Sequence, residues 1–273
     1  MKLELPHGKS LTLGAPVAVM GIVNATPDSF SDGGRFATTE AAAAHGERLV
    51  GEGAAIVDVG GESTRPGASP VAAEEEISRV VPVVAALAAR VDAPVSVDTN
   101  KSRVAAAAIL AGASIVNDVW GFQRDPDMAR VVADARAAAV LMHNRADVDP
   151  ELDVVADVLA FLKRSIDVAL AAGVAEDRLI VDPGFGFGKT PRQNLLLIRR
   201  LGEIAALGRP VLLGVSRKST IGLTTGQPAP AERVAGSIAA GLIGAINGAA
   251  ILRVHDVAAH VQALKVWRAI EES

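Results

Sequence analysis

The sequence predicts an α/β protein, a single (β/α)8 TIM barrel with a short N-terminal extension or hairpin. Short runs rich in valine, isoleucine and leucine alternate with longer alanine-rich stretches that carry charges at helical spacing. The short runs are apolar throughout, as expected of parallel strands that are covered on both faces. Eight strand–helix units can be counted in the 273 residues, which is the usual size of a TIM barrel. A doubly wound open sheet is the alternative fold.

The predicted elements alternate from residue 17 to the end of the chain. Residues 1–13 precede the first strand, and we expect them to form a small hairpin that closes the bottom of the barrel. Strands are predicted at 17–24, 54–59, 94–98, 114–117, 138–143, 178–182, 210–214 and 249–253. Helices are predicted at about 38–52, 73–90, 102–111, 126–135, 151–172, 192–206, 230–247 and 256–271. No linker interrupts this alternation, so residues 1–273 are expected to form one domain.

The composition excludes several classes of protein. The chain contains no cysteine, which excludes a disulfide scaffold and a thiolate metal site. The net charge is −4 and the basic residues are scattered, so neither a nucleic-acid partner nor a membrane surface is expected. The N-terminus lacks the apolar segment of a signal peptide, and we therefore expect a cytoplasmic protein. Residues 234–252 carry no charge, but they favour a buried helix followed by a buried strand over a membrane span.

Polar residues stand at the carboxyl end of every predicted strand. They are Asn24, 62–65, Asp98, 117–118, His143, Asp182, 216–219 and 253–256. In a TIM barrel these ends converge on one mouth, where the active site lies. Asparagine, aspartate and serine also cap helices, and Asp118 and Asp256 in particular could be caps or could fix a loop. Capping alone does not account for several polar residues at one strand end, so the sequence predicts an active site at this mouth.

The cationic side chains of the predicted mouth suit an anionic ligand. They are Arg65, Lys218, Arg253 and His255, and together they fit an anion with several oxygens, such as a phosphate or diphosphate. Asn24 and the aspartates offer oxygen ligands that suit Mg²⁺, which binds few protein groups and completes its shell with water and phosphate oxygens. We therefore expect an anion such as a phosphate or diphosphate at this mouth, with oxygen donors that suit Mg²⁺ beside it.

Three further polar residues, Asp98, Asn117 and Asp182, stand at the ends of rigid strands. Their carboxylates and amide can pair with a ring that offers adjacent N–H donors, as a pterin or a guanine does. A glycine-rich segment follows at 184–190 and resembles a Walker A loop, but that pattern requires glycine where Pro183 stands, and we reject it. The glycines instead predict a tight backbone path over the barrel mouth.

Blocks of sequence in a fixed order resemble the dihydropteroate synthase family along nearly the whole chain. The two longest are MGIVNATPDSFSDGG at 20–34 and DVGGESTRPG at 58–67. Shorter blocks are VDT at 97–99, VNDV at 116–119, LMH at 141–143, DPGFGFGKT at 182–190, SRKS at 216–219 and RVHDV at 253–257. Their joint order and spacing are far more specific than any one block. Residues 144–150 depart from the common family pattern, which leaves the shape of that loop open.

The resemblance implies an activity. Members of the family join a 7,8-dihydropterin-6-ylmethyl diphosphate to the amine of p-aminobenzoate in folate biosynthesis, with Mg²⁺ as the cofactor. The resemblance also implies a cytoplasmic homodimer that sulfonamides inhibit. No catalytic nucleophile or base is implied, because the reaction is expected to depend on positioning and on electrostatic stabilisation by Arg65, Lys218, Arg253 and His255.

The resemblance also implies roles for individual residues. The implied pterin-binding residues are Asp98, Asn117, Met142, Asp182, Lys218 and Arg253. The implied diphosphate-binding residues are Asn24, Arg65, Arg253 and His255, and Asn24 is also the implied metal ligand. The implied p-aminobenzoate-binding residues are Phe30, Thr64, Pro66, Phe187 and Ser219.

Two other functions stay open on the sequence alone. A pterin-binding methyltransferase domain would share the barrel and the acidic residues, but it would have no use for Arg253 and His255 as a diphosphate clamp. A non-catalytic paralog that binds pterin or a partner protein should have lost residues at the mouth, and the sequence has lost none. Turnover with pterin diphosphate and p-aminobenzoate distinguishes these functions.

Overall fold

Eight parallel strands form the centre of the protein. The computed structural model describes residues 1–14, 16–25, 34–62 and 70–273, with the side chains of the helix at 34–51 described from residue 38 onward. The strands are β3 (Ala18–Asn24), β4 (Ile56–Gly60), β5 (Val95–Asp98), β6 (Ile115–Asp118), β7 (Ala138–Met142), β8 (Leu179–Asp182), β9 (Val211–Leu213) and β10 (Ala249–Val254). Each strand pairs with its neighbour in sequence, and β10 pairs with β3 to close the barrel. The closed parallel barrel confirms the predicted TIM barrel and excludes the open sheet.

Helices surround the barrel in the described part of the chain. They are α1 (Gly34–Gly51), α2 (Ala73–Arg90), α3 (Ser102–Leu110), α4 (Met128–Asp134), α5 (Val154–Ala171), α6 (Pro191–Arg199), α7 (Leu201–Ala205), α8 (Ser219–Thr225), α9 (Val234–Ile246) and α10 (Val257–Glu271). Buried valine, leucine and alanine side chains fill the space between strands and helices as one cluster. Removal of this apolar surface from water is the main stabilising contribution to the barrel.

The predicted N-terminal hairpin is present at the bottom of the barrel. Strands β1 (Lys2–Glu4) and β2 (Ser10–Thr12) pair antiparallel. Leu3 and Leu11 are buried, and they belong to one cluster with side chains of the barrel interior such as Met20. The hairpin therefore closes the end of the barrel opposite the predicted mouth.

Alternate residues of a strand face the barrel interior, and these interior residues change from apolar near the hairpin to polar toward the carboxyl ends. Ile56 and Ile180 belong to the interior cluster that the hairpin covers. Asp58 and Asp182 follow them by one strand period and therefore lie on the same face, nearer the carboxyl ends. In the described residues, the interior carboxylates of these two strands therefore lie on the mouth side of the apolar cluster.

Several predicted helices differ in their bounds from the observed ones. The helix predicted at 192–206 is wrong as a single element, because α6 and α7 are separated at Arg200. The helix predicted to start at 151 starts at Val154. Its N-cap is Asp153, whose Oδ1 accepts hydrogen bonds from the backbone N–H groups of Val155 and Ala156 at 3.1 and 3.2 Å.

The uncharged stretch at 234–252 forms helix α9 and most of strand β10, as predicted. Residues 230–233 form a 3-10 turn before α9 and are not part of the helix itself. Helix α8 was not in the predicted set. Among the residues that the structure describes, no helix combines the length and apolar character needed to cross a membrane.

Candidate active site

The carboxyl ends of the barrel strands surround one cleft. Its lining includes eight of the predicted substrate-binding residues: Asp98, Asn117, Met142, Asp182, Phe187, Lys218, Arg253 and His255. The cleft is also lined by Ile22, Val119, Phe185, Gly214 and Ser216. All six residues of the implied pterin set therefore lie together.

Arg253 bridges two carboxylates on neighbouring strands. Its Nε donates to Oδ2 of Asp58 at 2.6 Å, and its Nη2 donates to Oδ2 of Asp98 at 2.7 Å. Although burial opposes the effect, the charges of Asp58 and Asp98 raise the pKa of Arg253 above its ordinary value. Arg253 is therefore a permanent cation whose planar guanidinium is held in one orientation at the floor of the cleft.

Asp58 also orients Asn117, because Nδ2 of Asn117 donates to its Oδ2 at 3.1 Å. The neighbouring carboxyl group of Asp98 is mostly buried, and this burial raises the pKa of Asp98 well above its usual range, against the effect of Arg253. The amide oxygen of Asn117 and the carboxyl of Asp98 thus lie side by side, on paired residues of β5 and β6. Such a pair can receive or donate hydrogen bonds at the edge of a heterocycle.

Asp182 lies across the cleft at the end of β8. Its Oδ1 accepts a hydrogen bond from the backbone N–H of Gly184 at 2.7 Å, which fixes the rotamer. Burial raises the pKa of Asp182 to about 6, so the side chain is mainly a carboxylate at neutral pH. Its Oδ2 is left for a ligand in the cleft.

Lys218 completes the charged wall of the cleft. Burial, with a smaller contribution from Arg253, lowers the pKa of Lys218 to about 8. Its Nζ lies 4.0 Å from the centroid of the Phe187 ring. This cation–π contact joins a residue predicted to bind pterin to a residue predicted to bind p-aminobenzoate.

Asn24 does not line this cleft. It lies at the exposed end of β3 and lines an adjoining depression that shares Ile22 and His255 with the cleft. The His255 backbone N–H donates to Oγ of Ser216 at 3.1 Å, and Nδ1 of His255 lies 3.1 Å from the same oxygen. His255 therefore stands where the cleft and the depression meet, and the predicted diphosphate set extends from one into the other.

The structure describes only two of the residues predicted to bind p-aminobenzoate, Phe187 and Ser219. Phe187 lines the cleft, whereas Ser219 is the exposed first residue of α8 and does not line it. The other predicted members, Phe30, Thr64 and Pro66, lie outside the described residues, as does Arg65 of the diphosphate set.

Asp118 and Asp256 fix loops, which is one of the roles expected of them. Asp118 accepts hydrogen bonds from the backbone N–H groups of Trp120 and Phe122 at 2.8 and 2.9 Å. Asp256 forms an ion pair with Arg217, whose Nε donates to Oδ2 at 2.9 Å. Neither aspartate lines the cleft itself.

Sequence reasoning assigned no role to two buried residues beside the cleft, Asp58 and Lys189. A signal for Asp58 was available, because an aspartate inside an apolar strand, one period after Ile56, must face the barrel interior. Lys189 had no comparable signal, since it follows a glycine-rich loop and would ordinarily be exposed. In the structure it is 7% exposed, and burial lowers its pKa to about 7.

Comparisons with known proteins agree with this geometry. Residues 20–255 match the family model described as pterin binding enzyme. The chain belongs to this family of pterin-binding enzymes. Its relatives include the dihydropteroate synthase of Clostridium beijerinckii, which is 48% identical over 259 residues that cover 94% of this chain and 96% of the relative.

Solved dihydropteroate synthases have the same fold. The Xanthomonas albilineans enzyme with 4-aminobenzoic acid superposes with a TM-score of 0.94 at 53% identity and 97% coverage of both chains. The same enzyme in complex with 7,8-dihydropteroate gives a TM-score of 0.89 at 50% identity and 97% coverage of both chains. The Yersinia pestis enzyme with a sulfonamide drug gives a TM-score of 0.92 at 41% identity, with both chains covered completely, at 100%.

Proposed function

We propose that this chain catalyses the dihydropteroate synthase reaction. It transfers the 7,8-dihydropterin-6-ylmethyl group from its diphosphate to the amine of p-aminobenzoate, which releases diphosphate and forms 7,8-dihydropteroate for folate biosynthesis. The observation that carries the proposal is one cleft in which Asp98, Asn117 and Asp182 lie together with Lys218 and Arg253. The relatives solved with 4-aminobenzoic acid and with 7,8-dihydropteroate support the same reaction.

The acidic side of the cleft is suited to the pterin ring. Asp182 is a carboxylate at neutral pH and can accept two adjacent N–H groups of the pterin. Asn117 and Asp98 can bond the rest of the polar edge, while Met142 is buried beside them and offers an apolar surface to the ring. Burial of the site strengthens each of these hydrogen bonds and excludes competing water.

The cationic side of the cleft is suited to the departing diphosphate. Arg253 remains charged at every accessible pH, and His255 lies where the cleft opens into the depression that holds Asn24. When bound, Mg²⁺ would supply further charge neutralisation to the diphosphate. The exposed amide of Asn24 is a hard oxygen donor of the kind that Mg²⁺ accepts, so this residue fits the role of metal ligand.

The chain contributes mainly positioning and electrostatics. The C–O bond to diphosphate breaks, and the pterin ring stabilises the methylene cation that forms. The aniline nitrogen then attacks this carbon, forms the C–N bond and loses its proton. Since an aromatic amine is largely unprotonated at neutral pH, no dedicated base is required. Arg253, His255 and Lys218 stabilise the developing negative charge, and Arg65 is proposed to join them.

The p-aminobenzoate ring is proposed to lie against Phe187, with its carboxylate toward Ser219. Phe30, Thr64 and Pro66 are proposed to complete this pocket. Sulfonamides share the aniline ring of the substrate and are therefore proposed as competitive inhibitors, in line with the sulfonamide complex of the Yersinia pestis relative.

We also propose that residues 1–273 act as one domain in a cytoplasmic homodimer. Helices α6, α8 and α9 pack against one another and carry exposed apolar side chains, among them Leu195, Leu223 and Ile243. Exposed apolar side chains on adjoining helices are characteristic of a subunit interface. Leu223→Glu should yield a monomer in light scattering, whereas Leu110→Glu, at an even more exposed leucine on α3, should leave the dimer intact.

Turnover tests the proposed function. The purified chain should form 7,8-dihydropteroate from the pterin diphosphate and p-aminobenzoate when Mg²⁺ is present, and chelation followed by readdition of Mg²⁺ should stop and restore it. Asn24→Ala should raise the Mg²⁺ concentration needed for half-maximal rate, whereas Asn24→Asp keeps an oxygen ligand and should not. Absence of product with both substrates and Mg²⁺ would refute the function.

A further inference from the structure

Lys189 is a buried amine that the proposed reaction does not use. Its Nζ donates to the carbonyl oxygens of Gly184 and Phe187 at 2.8 and 2.9 Å and lies 2.8 Å from Nδ1 of His143. An ammonium group has three donors, and these three acceptors match them. The lysine therefore binds the first and the last residue of the turn at 184–187.

Asp157 determines which ring nitrogen of His143 accepts a hydrogen bond. Nε2 of His143 lies 2.9 Å from Oδ2 of Asp157, which also accepts a hydrogen bond from Arg145 at 3.1 Å. Burial lowers the pKa of His143 to about 4, so the ring is neutral near pH 7. A neutral ring that donates from Nε2 to Asp157 must accept at Nδ1, which is the atom that Lys189 contacts.

The turn packs so closely against the segment after β7 that it can adopt only one position there. A Cβ atom at Gly184 would lie 1.8 Å from the carbonyl oxygen of His143, and one at Gly188 would lie 2.6 Å from the carbonyl oxygen of Arg145. Both glycines have positive φ, +68° and +59°. The turn therefore docks backbone to backbone, and Lys189 fastens it there.

Phe187 is the side chain that this arrangement presents to the cleft. Its carbonyl is held by Lys189, its backbone N–H donates to Gly184 at 3.1 Å, and its ring lies over Lys218. The side chain of Asp182 accepts a hydrogen bond from the backbone N–H of Gly184 in this turn, but its backbone is held separately, by strand β8 and its pairing with β7. Phe187 has no strand to hold it, so a disturbance of the turn should affect Phe187 more than Asp182.

We propose that Lys189 is a positioning residue that holds Phe187 at the p-aminobenzoate subsite through its contacts with the 184–187 turn. This inference rests on the proposed function and on the place of Phe187 in the cleft. Lys189 does not touch substrate in this account, and its effect is specific to the second substrate.

The test compares Lys189→Met with Lys163→Met, which removes an exposed lysine from α5. Lys189→Met should raise KM for p-aminobenzoate about tenfold or more, because a small displacement of a contact residue is sufficient for such a loss. The dissociation constant of the pterin diphosphate, from calorimetry, should stay within about threefold of wild type. Lys163→Met should change neither quantity.

A double-mutant cycle shows whether Lys189 acts through Phe187. In a Phe187→Ala background, Lys189→Met should add less than about twofold to KM for p-aminobenzoate. If Lys189→Met does not fold, Lys189→Gln keeps a donor but cannot reach all three acceptors, and it should show the same selective rise in KM.

Three results would overturn the inference: a fall in kcat with both substrate affinities unchanged, an equal loss of pterin affinity, or an undiminished effect in the Phe187→Ala background. These outcomes concern the variants alone. A wild-type chain without turnover would instead count against the proposed function, and faster amide hydrogen exchange at 184–188 in Lys189→Met would then still report the role of Lys189 in the turn.

Discussion

Nε of Arg253 lies 2.6 Å from Oδ2 of Asp58, a carboxylate with no solvent exposure. The other oxygen of Asp58, Oδ1, is buried without a hydrogen-bond partner among the described residues. A buried carboxylate in this state is costly unless its charge is compensated, and Arg253 supplies that compensation. The pair thus links the stability of the barrel to the orientation of the cation that faces the diphosphate.

Asp58→Asn should destabilise the fold. It leaves Arg253, which is mostly buried, with Asp98 as its remaining hydrogen-bonded carboxyl partner, so the free energy of unfolding should fall by about 3 kcal/mol. Urea denaturation measures this change. The matched control is Asp127→Asn, because Asp127 pairs with Arg130 on the surface and both side chains are more than half exposed. Equal midpoints for the two variants would contradict the structural importance of the pair.

Asp182→Asn should nearly abolish pterin binding. The carboxylate is proposed to accept two N–H groups, and an amide would present a donor to one of them, at a cost of about 2–5 kcal/mol. Titration calorimetry with the pterin diphosphate measures the loss, and Asp177→Asn, an exposed aspartate just before β8, serves as the control. Affinity for the pterin within a few-fold of wild type would refute the role of Asp182.

Pterin affinity should depend on pH on both sides of neutrality. Burial raises the pKa of Asp182 to about 6, so protonation below that pH removes the acceptor, and affinity at pH 5 should be about tenfold below that at pH 7. Burial lowers the pKa of Lys218 to about 8, so affinity should fall again above that pH as the ammonium is lost.

Calorimetry across this range, with the pterin alcohol as ligand to avoid titration of the diphosphate, provides the profile. Lys218→Gln should abolish the alkaline limb and leave the acidic limb in place. A flat profile in the wild type would show that neither group titrates at the pterin site.

Sulfonamides should inhibit competitively with p-aminobenzoate, because both present an aniline ring to Phe187. Phe187→Ala should weaken both molecules, while changes at Phe30 or Pro66 should weaken the drug more, since its tail extends past the pocket. Steady-state inhibition at saturating pterin diphosphate checks this. Full activity at drug concentrations far above that of the substrate would contradict the assigned pocket.

The sequence was sufficient to predict which strand ends line the cleft. Asp98, Asn117 and Asp182 each follow an apolar run, and the closure of a parallel barrel necessarily brings such ends together. The same rule placed Lys218, Arg253 and His255 at the mouth. These predictions depend on period and order along the chain, which a single sequence displays.

What the sequence could not predict depends on contacts between distant segments. The side chain of Lys189 contacts His143, which is distant in sequence, and nothing near Lys189 in the sequence indicates that it is buried. Asn24 is the last residue of β3 and His255 directly follows β10, yet of the two only His255 lines the cleft. The break at Arg200 in the helix predicted at 192–206 was likewise absent from the apolar pattern.

A single-turnover experiment tests the central claim most directly. The chain, in excess over the pterin diphosphate, is mixed with labelled p-aminobenzoate and Mg²⁺ and then quenched at successive times. The account predicts that diphosphate and labelled 7,8-dihydropteroate appear together in equal amounts and at the same rate. Diphosphate released without incorporation of the label, or no reaction of the bound pterin at all, would contradict it.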